Sequence, residues 1–349
     1  MSDANGTHEL QFLVVMDGAA ADDNVEEVLG RLAEAGASGR VAPGRESTVI
    51  GAIGDRSLLN RIALDGMSGV ERVLPVSKPY KLVSRETSPE PTVIQVRGRR
   101  VGGAYFALIA GPCTVESREQ ALATARAVHA AGASMLRGGA FKPRTSPYSF
   151  RGLGAEALAI LDEAREETGL PVVTELLDPR HVEQVAAVAD VIQIGARNMS
   201  NFLLLTEVGR CDRPVLLKRG PSSSVEELLM AAEYVVKEGN PRVILCERGI
   251  RTFESTTRFT LDIGAVPVLK ELTHLPVIVD PSHAAGRRAL VPALARAAVA
   301  AGADGIIVEA HPRPEEALCD APQLIRCAQF PAFADEIRGL VSLMGKSVG

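Results

Sequence analysis

The chain lacks the marks of nucleic-acid, membrane and disulfide chemistry. Its 38 Lys and Arg are outnumbered by 43 Asp and Glu, giving a formal charge of −5, so no global basic field draws it to nucleic acid or acidic lipid. The five cysteines (Cys113, Cys211, Cys246, Cys319, Cys327) are scattered and odd in number. That usage fits a reducing compartment, where a special cysteine is a ligand or a nucleophile. Uninterrupted apolar runs are missing as well: even "LVPALARAAVAAGADGIIVEA" is broken by Arg296 and Asp304, and "MSDANGTHEL" has no basic segment leading into an apolar one. The expectation is a soluble, cytoplasmic protein with no nucleic-acid or membrane partner.

What is present is core material, 46% hydrophobic residues over 349 positions, enough for two domains or one large one. After an expected flexible stretch at 1–8, residues 9–76 alternate as strand "ELQFLVVM", helix "DDNVEEVLGRLAEAG", strands "SGRVAP" and "STVIGAIG", helix "RSLLNRIALDG" and strand "VERVLPV". This βαββαβ order predicts a small ferredoxin-like α+β domain. The stretch 77–92, "SKPYKLVSRETSPEPT", combines proline and charge without apolar periodicity and reads as a linker.

From 93 to 349 a hairpin, "TVIQVRGRRVGGAYF", leads into eight short apolar runs separated by helical patterns. Near-continuous apolar strands are buried on both faces of a parallel sheet. Eight strand–helix units in this length predict a (β/α)8 TIM barrel rather than a doubly wound sheet. The strands end on Cys113, Arg137, Glu175, Arg197, Lys218, Arg248, His283 and Glu309, and such ends converge on one mouth, where barrel active sites sit.

Arg137, Lys142, Arg144, Arg197, Lys218 and Arg248 would then crowd one cleft and repel one another unless something anionic fills it. Arginine's planar fork suits carboxylate and phosphate oxygens, and lysine adds a mobile point charge. Six cations exceed the need of one monophosphate, so two small anionic substrates are expected, at least one of them phosphorylated. Taken singly, Cys113 is more often a buried hydrophobe and His283 a satisfied polar residue. Together with Glu309 and with Asp320 just beyond the last strand, they make a mixed S/N/O set suited to a divalent Mn, Fe, Co or Zn ion. Cys319, beside Asp320, is a candidate to oxidise against Cys113 when metal is absent; an unchanged thiol count after metal removal and peroxide exposure would reject this.

The motifs "AGPCTVES", "LRGGAFKPRTSPYSF", "IGARN", "LLKRG", "LCERGIRTFE", "VDPSHAAGRR", "IVEAHP" and "ALCDAPQ" together resemble 3-deoxy-D-arabino-heptulosonate 7-phosphate (DAHP) synthases, type I beta subgroup, which carry an N-terminal ferredoxin-like regulatory domain. The resemblance implies a metal-dependent transferase of the shikimate pathway that condenses phosphoenolpyruvate with erythrose 4-phosphate and water, releasing phosphate. It implies that Arg137, Lys142 and Lys218 hold the phosphoenolpyruvate carboxylate and that Arg197 and Arg248, helped by Lys218, hold its phosphate. Arg144 and Thr145 would take the aldose phosphate, and Cys113, His283, Glu309 and Asp320 would be the metal ligands. Lys142 is the candidate proton donor, and Glu175 a candidate to activate water.

The nearest rival is the octulosonate 8-phosphate synthases, which use arabinose 5-phosphate; "KPRTS" lacks their Asn-Arg-Ser-Ser-like continuation. A catalytically silent phosphometabolite sensor on the same barrel is the alternative from another class. The resemblance further implies a homotetramer with an aromatic amino acid effector between ferredoxin-like domains, although Ala42 and Pro43, beside Arg40, give a tyrosine hydroxyl no hydrogen-bonding side chain. That leaves tyrosine, phenylalanine or no effector as the possibilities. Deletion of residues 1–90 is expected to remove any such inhibition.

Overall fold

A computed structural model describes residues 10–43, 48–59, 61–75, 79–144 and 146–349. The expected flexible stretch at 1–8 and Thr145 lie outside them. Two compact units are present, Met1–Pro79 and Tyr80–Gly349.

In the first unit, strand β1 (Leu10–Met16), helix α1 (Asp22–Glu34), strands β2 (Ser38–Pro43) and β3 (Thr48–Ile53), the short helix α2 (Arg56–Leu59) and strand β4 (Val70–Pro75) form a sheet of order β2-β3-β1-β4. β1 is central and antiparallel to both neighbours, as a ferredoxin-like domain requires. Alternation sends Phe12, Val14 and Met16 to one face, where they meet Val28 and Leu32 of α1. The second helix is shorter than "RSLLNRIALDG" suggests: a single 3₁₀ turn at Leu64–Gly66 replaces its end.

The second unit is a closed barrel. Strands β5 (Ile94–Val96) and β6 (Arg99–Val101) form the hairpin. Barrel strands follow as β7 (Tyr105–Gly111), β8 (Met135–Arg137), β9 (Val172–Leu176), β10 (Val191–Ile194), β11 (Val215–Lys218), β12 (Val243–Glu247), β13 (Val277–Val279) and β14 (Gly305–His311). All neighbours are parallel, and β14 pairs back onto β7 over Gly305–Glu309.

Register decides where the chemistry sits. Ala107, Ile109, Met135, Val173, Val191, Leu216, Ile244, Ile278 and Ile307 point inward and form one apolar cluster, while their sequence neighbours pack outward against helices such as α3 (Arg118–Ala130) and α4 (Ala155–Thr168). The hairpin contributes Ile94, Val96 and Val101 to the same interior cluster, and Arg97 reaches Asp190, just before β10, at 3.4 Å. It therefore plugs the N-terminal end and leaves the C-terminal end open.

Residues 80–92 depart from the linker reading. Tyr80 and Val83 are buried in the barrel's outer core, and Glu233, on helix α7 (Val225–Lys237), accepts hydrogen bonds from the backbone N–H groups of Lys81, Leu82 and Val83 at 2.9–3.0 Å. Thr273 donates to the Val83 carbonyl, and the Thr92 N–H to His274 at 2.8 Å. Charge and proline hid a strap whose backbone, not its side-chain periodicity, makes the contacts. Among the described residues, no helix is long and apolar enough to cross a membrane.

Candidate active site

Because strand side chains alternate with period two, the residue two beyond each inward apolar residue also points inward, one layer nearer the mouth. That layer comprises Arg137 after Met135, Glu175 after Val173, Gln193 after Val191, Lys218 after Leu216, Asp280 after Ile278 and Glu309 after Ile307. Polar groups thus lie directly on a hydrophobic floor.

Above it opens a cavity of about 420 Å³ lined by all six expected cations, Arg137, Lys142, Arg144, Arg197, Lys218 and Arg248, together with Glu175, His283 and Asp320. The sequence reading missed Arg251 and Arg258, which line it too; they belong to the long segment between β12 and helix α8 (Ala265–Leu272), which has neither periodicity nor a strand end to mark them.

The cations are pinned in different ways. Arg137 is buried, pairs with Glu309 and donates to the Cys113 carbonyl at 3.3 Å. Lys218 pairs with Asp280. Arg248 stands over the Phe259 ring, its guanidinium carbon 4.2 Å from the ring centre; burial lowers its pKa. Arg197 donates to the Pro143 carbonyl at 3.3 Å, and Arg144 approaches Cys319 Sγ at 3.0 Å. The loop carrying Lys142 is closed by backbone bonds from Lys142 to Arg151 and from Gly154 to Ala140, 2.8 and 3.0 Å. At its neck Gly152 adopts φ +92°, and an added Cβ would sit 2.2 Å from the Ala140 carbonyl, so only glycine fits.

The four expected metal ligands converge. Donor atoms of Cys113, Glu309 and Asp320 lie within 4.8 Å of one another, and His283, on helix α9 (Pro281–Ala285), turns Nε2 to within 3.4 Å of Glu309 and 3.8 Å of Asp320. Lys142 Nζ stands 2.9 Å from Cys113 Sγ and 3.1 Å from Asp320 Oδ2. Gln323 and Arg258 complete the cage: Gln323 donates to Glu309 at 2.7 Å, and Arg258 donates to Asp320 and Gln323 at 3.1 Å. One thiol, one imidazole and two carboxylates at this spacing fit a divalent transition ion.

Burial opposes ionisation of Glu309, yet His283, Arg137 and Lys142 hold its carboxyl down to about 2. A hydrogen bond between the Cys113 and Cys319 thiols, together with burial, pushes Cys113 well above the usual thiol range, and the same bond holds Cys319 down to about 6 against the effect of its own burial. Glu175 is pushed up by burial despite the surrounding cations, and it accepts from Gln193 at 3.2 Å.

A sequence profile of the DAHP synthetase I family matches residues 91–344, and that of the DAHP synthase ferredoxin-like domain matches residues 13–78. The chain belongs to the DAHP synthetase I family. It is 49% identical over 338 residues to the phospho-2-dehydro-3-deoxyheptonate aldolase of Thermotoga maritima, covering 97% of this chain and 100% of that one. The crystal structure of DAHP synthase from Thermotoga maritima superposes with a TM-score of 0.80 at 47% identity, over 98% of this chain and 100% of that one. A 2-dehydro-3-deoxyphosphooctonate aldolase of Syntrophotalea carbinolica is 37% identical, covering 73% of this chain and 98% of that protein. As a DAHP synthase family member the chain is a transferase acting at the condensation step of the shikimate pathway, with a ferredoxin-like N-terminal domain and a parallel eight-stranded barrel.

Proposed function

We propose that the enzyme condenses phosphoenolpyruvate with erythrose 4-phosphate and water to give DAHP and inorganic phosphate, using one divalent metal ion. The observation that carries this is the gathering of six cations around one cavity with a thiol–imidazole–dicarboxylate cluster at its edge. Arg137, Lys142 and Lys218 hold the phosphoenolpyruvate carboxylate; Arg197 and Arg248, helped by Lys218, hold its phosphate; Arg144 and Thr145 take the aldose phosphate. Fixing two polyanions in one orientation turns a bimolecular encounter into a nearly unimolecular one.

Cys113, His283, Glu309 and Asp320 hold the metal, which when bound supplies Lewis-acid polarisation of the aldehyde carbonyl. C3 of phosphoenolpyruvate attacks that carbon, and Lys142, which already touches two of the four donors, gives a proton to the new hydroxyl. Water adds at C2, with Glu175 the carboxylate placed among the cations to take its proton. Arg197, Arg248 and Lys218 then stabilise negative charge on the departing phosphate. The octulosonate reaction is the second reading, favoured by 2-dehydro-3-deoxyphosphooctonate aldolase relatives at 31–37% identity.

Metal ligation needs the Cys113 thiolate, which burial and the bond to Cys319 oppose, so Cys113→Ala should bind Mn(II) more weakly than wild type; unchanged binding contradicts ligation by Cys113. Chelation should stop turnover and Mn(II) restore it, while activity indifferent to a chelator removes the metal from the mechanism.

Regulation by an aromatic amino acid at the ferredoxin-like domain of a cytoplasmic homotetramer is part of the proposal. The deletion that tests it ends at residue 79 rather than 90, because residues 80–92 are fastened to the barrel. Inhibition by phenylalanine or tyrosine should vanish on that deletion with catalysis retained; full inhibition surviving it places the effector elsewhere.

A further inference from the structure

Asp280 has no part in the assignments above, yet it touches both halves of the site. It occupies the inward position after Ile278 and is 1% exposed. Its Oδ1 accepts from the backbone N–H of His283 at 2.9 Å, and Oδ2 meets His283 Nδ1 at 2.7 Å and the Lys218 ammonium. An imidazole tied through Nδ1 has only Nε2 left to offer, and Nε2 is the atom facing Glu309 and Asp320. One carboxylate oxygen is thus shared between a residue of the metal site and a residue of the phosphoenolpyruvate site.

We propose that Asp280 is a positioning residue that couples the two sites, fixing the tautomer and direction of His283 and making its donor strength depend on what Lys218 holds. The inference rests on the metal and phosphoenolpyruvate assignments of the proposed function. With Lys218 bonded to Asp280, the carboxylate charge is divided between ammonium and imidazole. An anion that draws on the ammonium leaves more of that charge on Nδ1–H, which makes Nε2 a stronger donor. Phosphoenolpyruvate then tightens the metal, and reciprocity requires the metal to tighten phosphoenolpyruvate by the same factor.

The test is Mn(II) binding to metal-free full-length protein, read from the electron paramagnetic resonance of free Mn(II), with and without phosphoenolpyruvate and with no sugar present, so that no turnover occurs. Wild-type protein should bind Mn(II) roughly fivefold or more tightly with phosphoenolpyruvate. Asp280→Asn should lose roughly 10- to 100-fold in Mn(II) affinity and lose the phosphoenolpyruvate increment. A wild-type protein that binds Mn(II) equally with and without phosphoenolpyruvate overturns the coupling alone, as does an Asp280→Asn protein that keeps the increment. A wild-type protein that binds no Mn(II) overturns the metal assignment and the coupling with it. Should Asp280→Asn not fold, the Nδ1–H resonance of His283 in metal-free [15N]histidine-labelled wild type, assigned by its loss in His283→Gln, carries the test. It should shift when phosphoenolpyruvate is added, and a resonance that does not move overturns the proposal.

Discussion

Replacing Lys142 with methionine is expected to lower turnover by roughly 10²- to 10⁴-fold, with metal still bound. The methionine stem fills the same space, so what disappears is an ammonium 2.9 Å from Cys113 Sγ and 3.1 Å from Asp320 Oδ2. Those donors lose a competing cation, so Mn(II) content should hold or rise. The loss must then come from proton delivery and from the phosphoenolpyruvate carboxylate contact. The first lowers kcat and the second raises the KM for phosphoenolpyruvate, leaving the KM for the sugar little changed. A variant within about tenfold of wild-type kcat would remove Lys142 as proton donor.

Arg137→Met should cost about 3–5 kcal/mol of stability in metal-free protein, the range for breaking a buried ion pair by removing one partner. Arg137 and Glu309 are 4% and 1% exposed, and the change removes one of the three cationic partners, with His283 and Lys142, that hold the Glu309 carboxyl at about 2. In wild type that depressed pKa stabilises the fold above the ordinary glutamate value of 4.5, and the contribution is lost as pH falls towards 2. Two comparisons in denaturant melts isolate the cause. Adding Glu309→Gln should restore much of the loss, and added Mn(II) should narrow the gap between Arg137→Met and wild type, because a bound cation compensates Glu309. A single variant as stable as wild type at neutral pH would show that the pair is not what holds this layer.

Much of the fold was legible because its signals are local. Eight apolar strands and the βαββαβ order survive as residue patterns whatever the tertiary context. The short α2 was less legible, since "RSLLNRIALDG" has helical periodicity but no observation within it says where the helix stops. The strap at 80–92 was invisible for a different reason: its attachment runs through backbone N–H groups to Glu233, and backbone carries no side-chain pattern.

At the site, residues that end strands or sit in distinctive motifs could be found. Asp280 and Gln193 could have been found by carrying the inward register of Ile278 and Val191 two residues further. His283 was placed at a strand end, whereas it lies in α9, and Asp280 is the residue that holds the strand-end position. Arg258 and Gln323 could not have been found this way, because they reach Asp320 and Glu309 from irregular segments.

The most direct measurement follows the enol absorbance of phosphoenolpyruvate with purified, Mn(II)-loaded protein and either erythrose 4-phosphate or arabinose 5-phosphate. Consumption with the four-carbon sugar alone, abolished by chelation, is the predicted result. Consumption with the five-carbon sugar, or with neither, would contradict it.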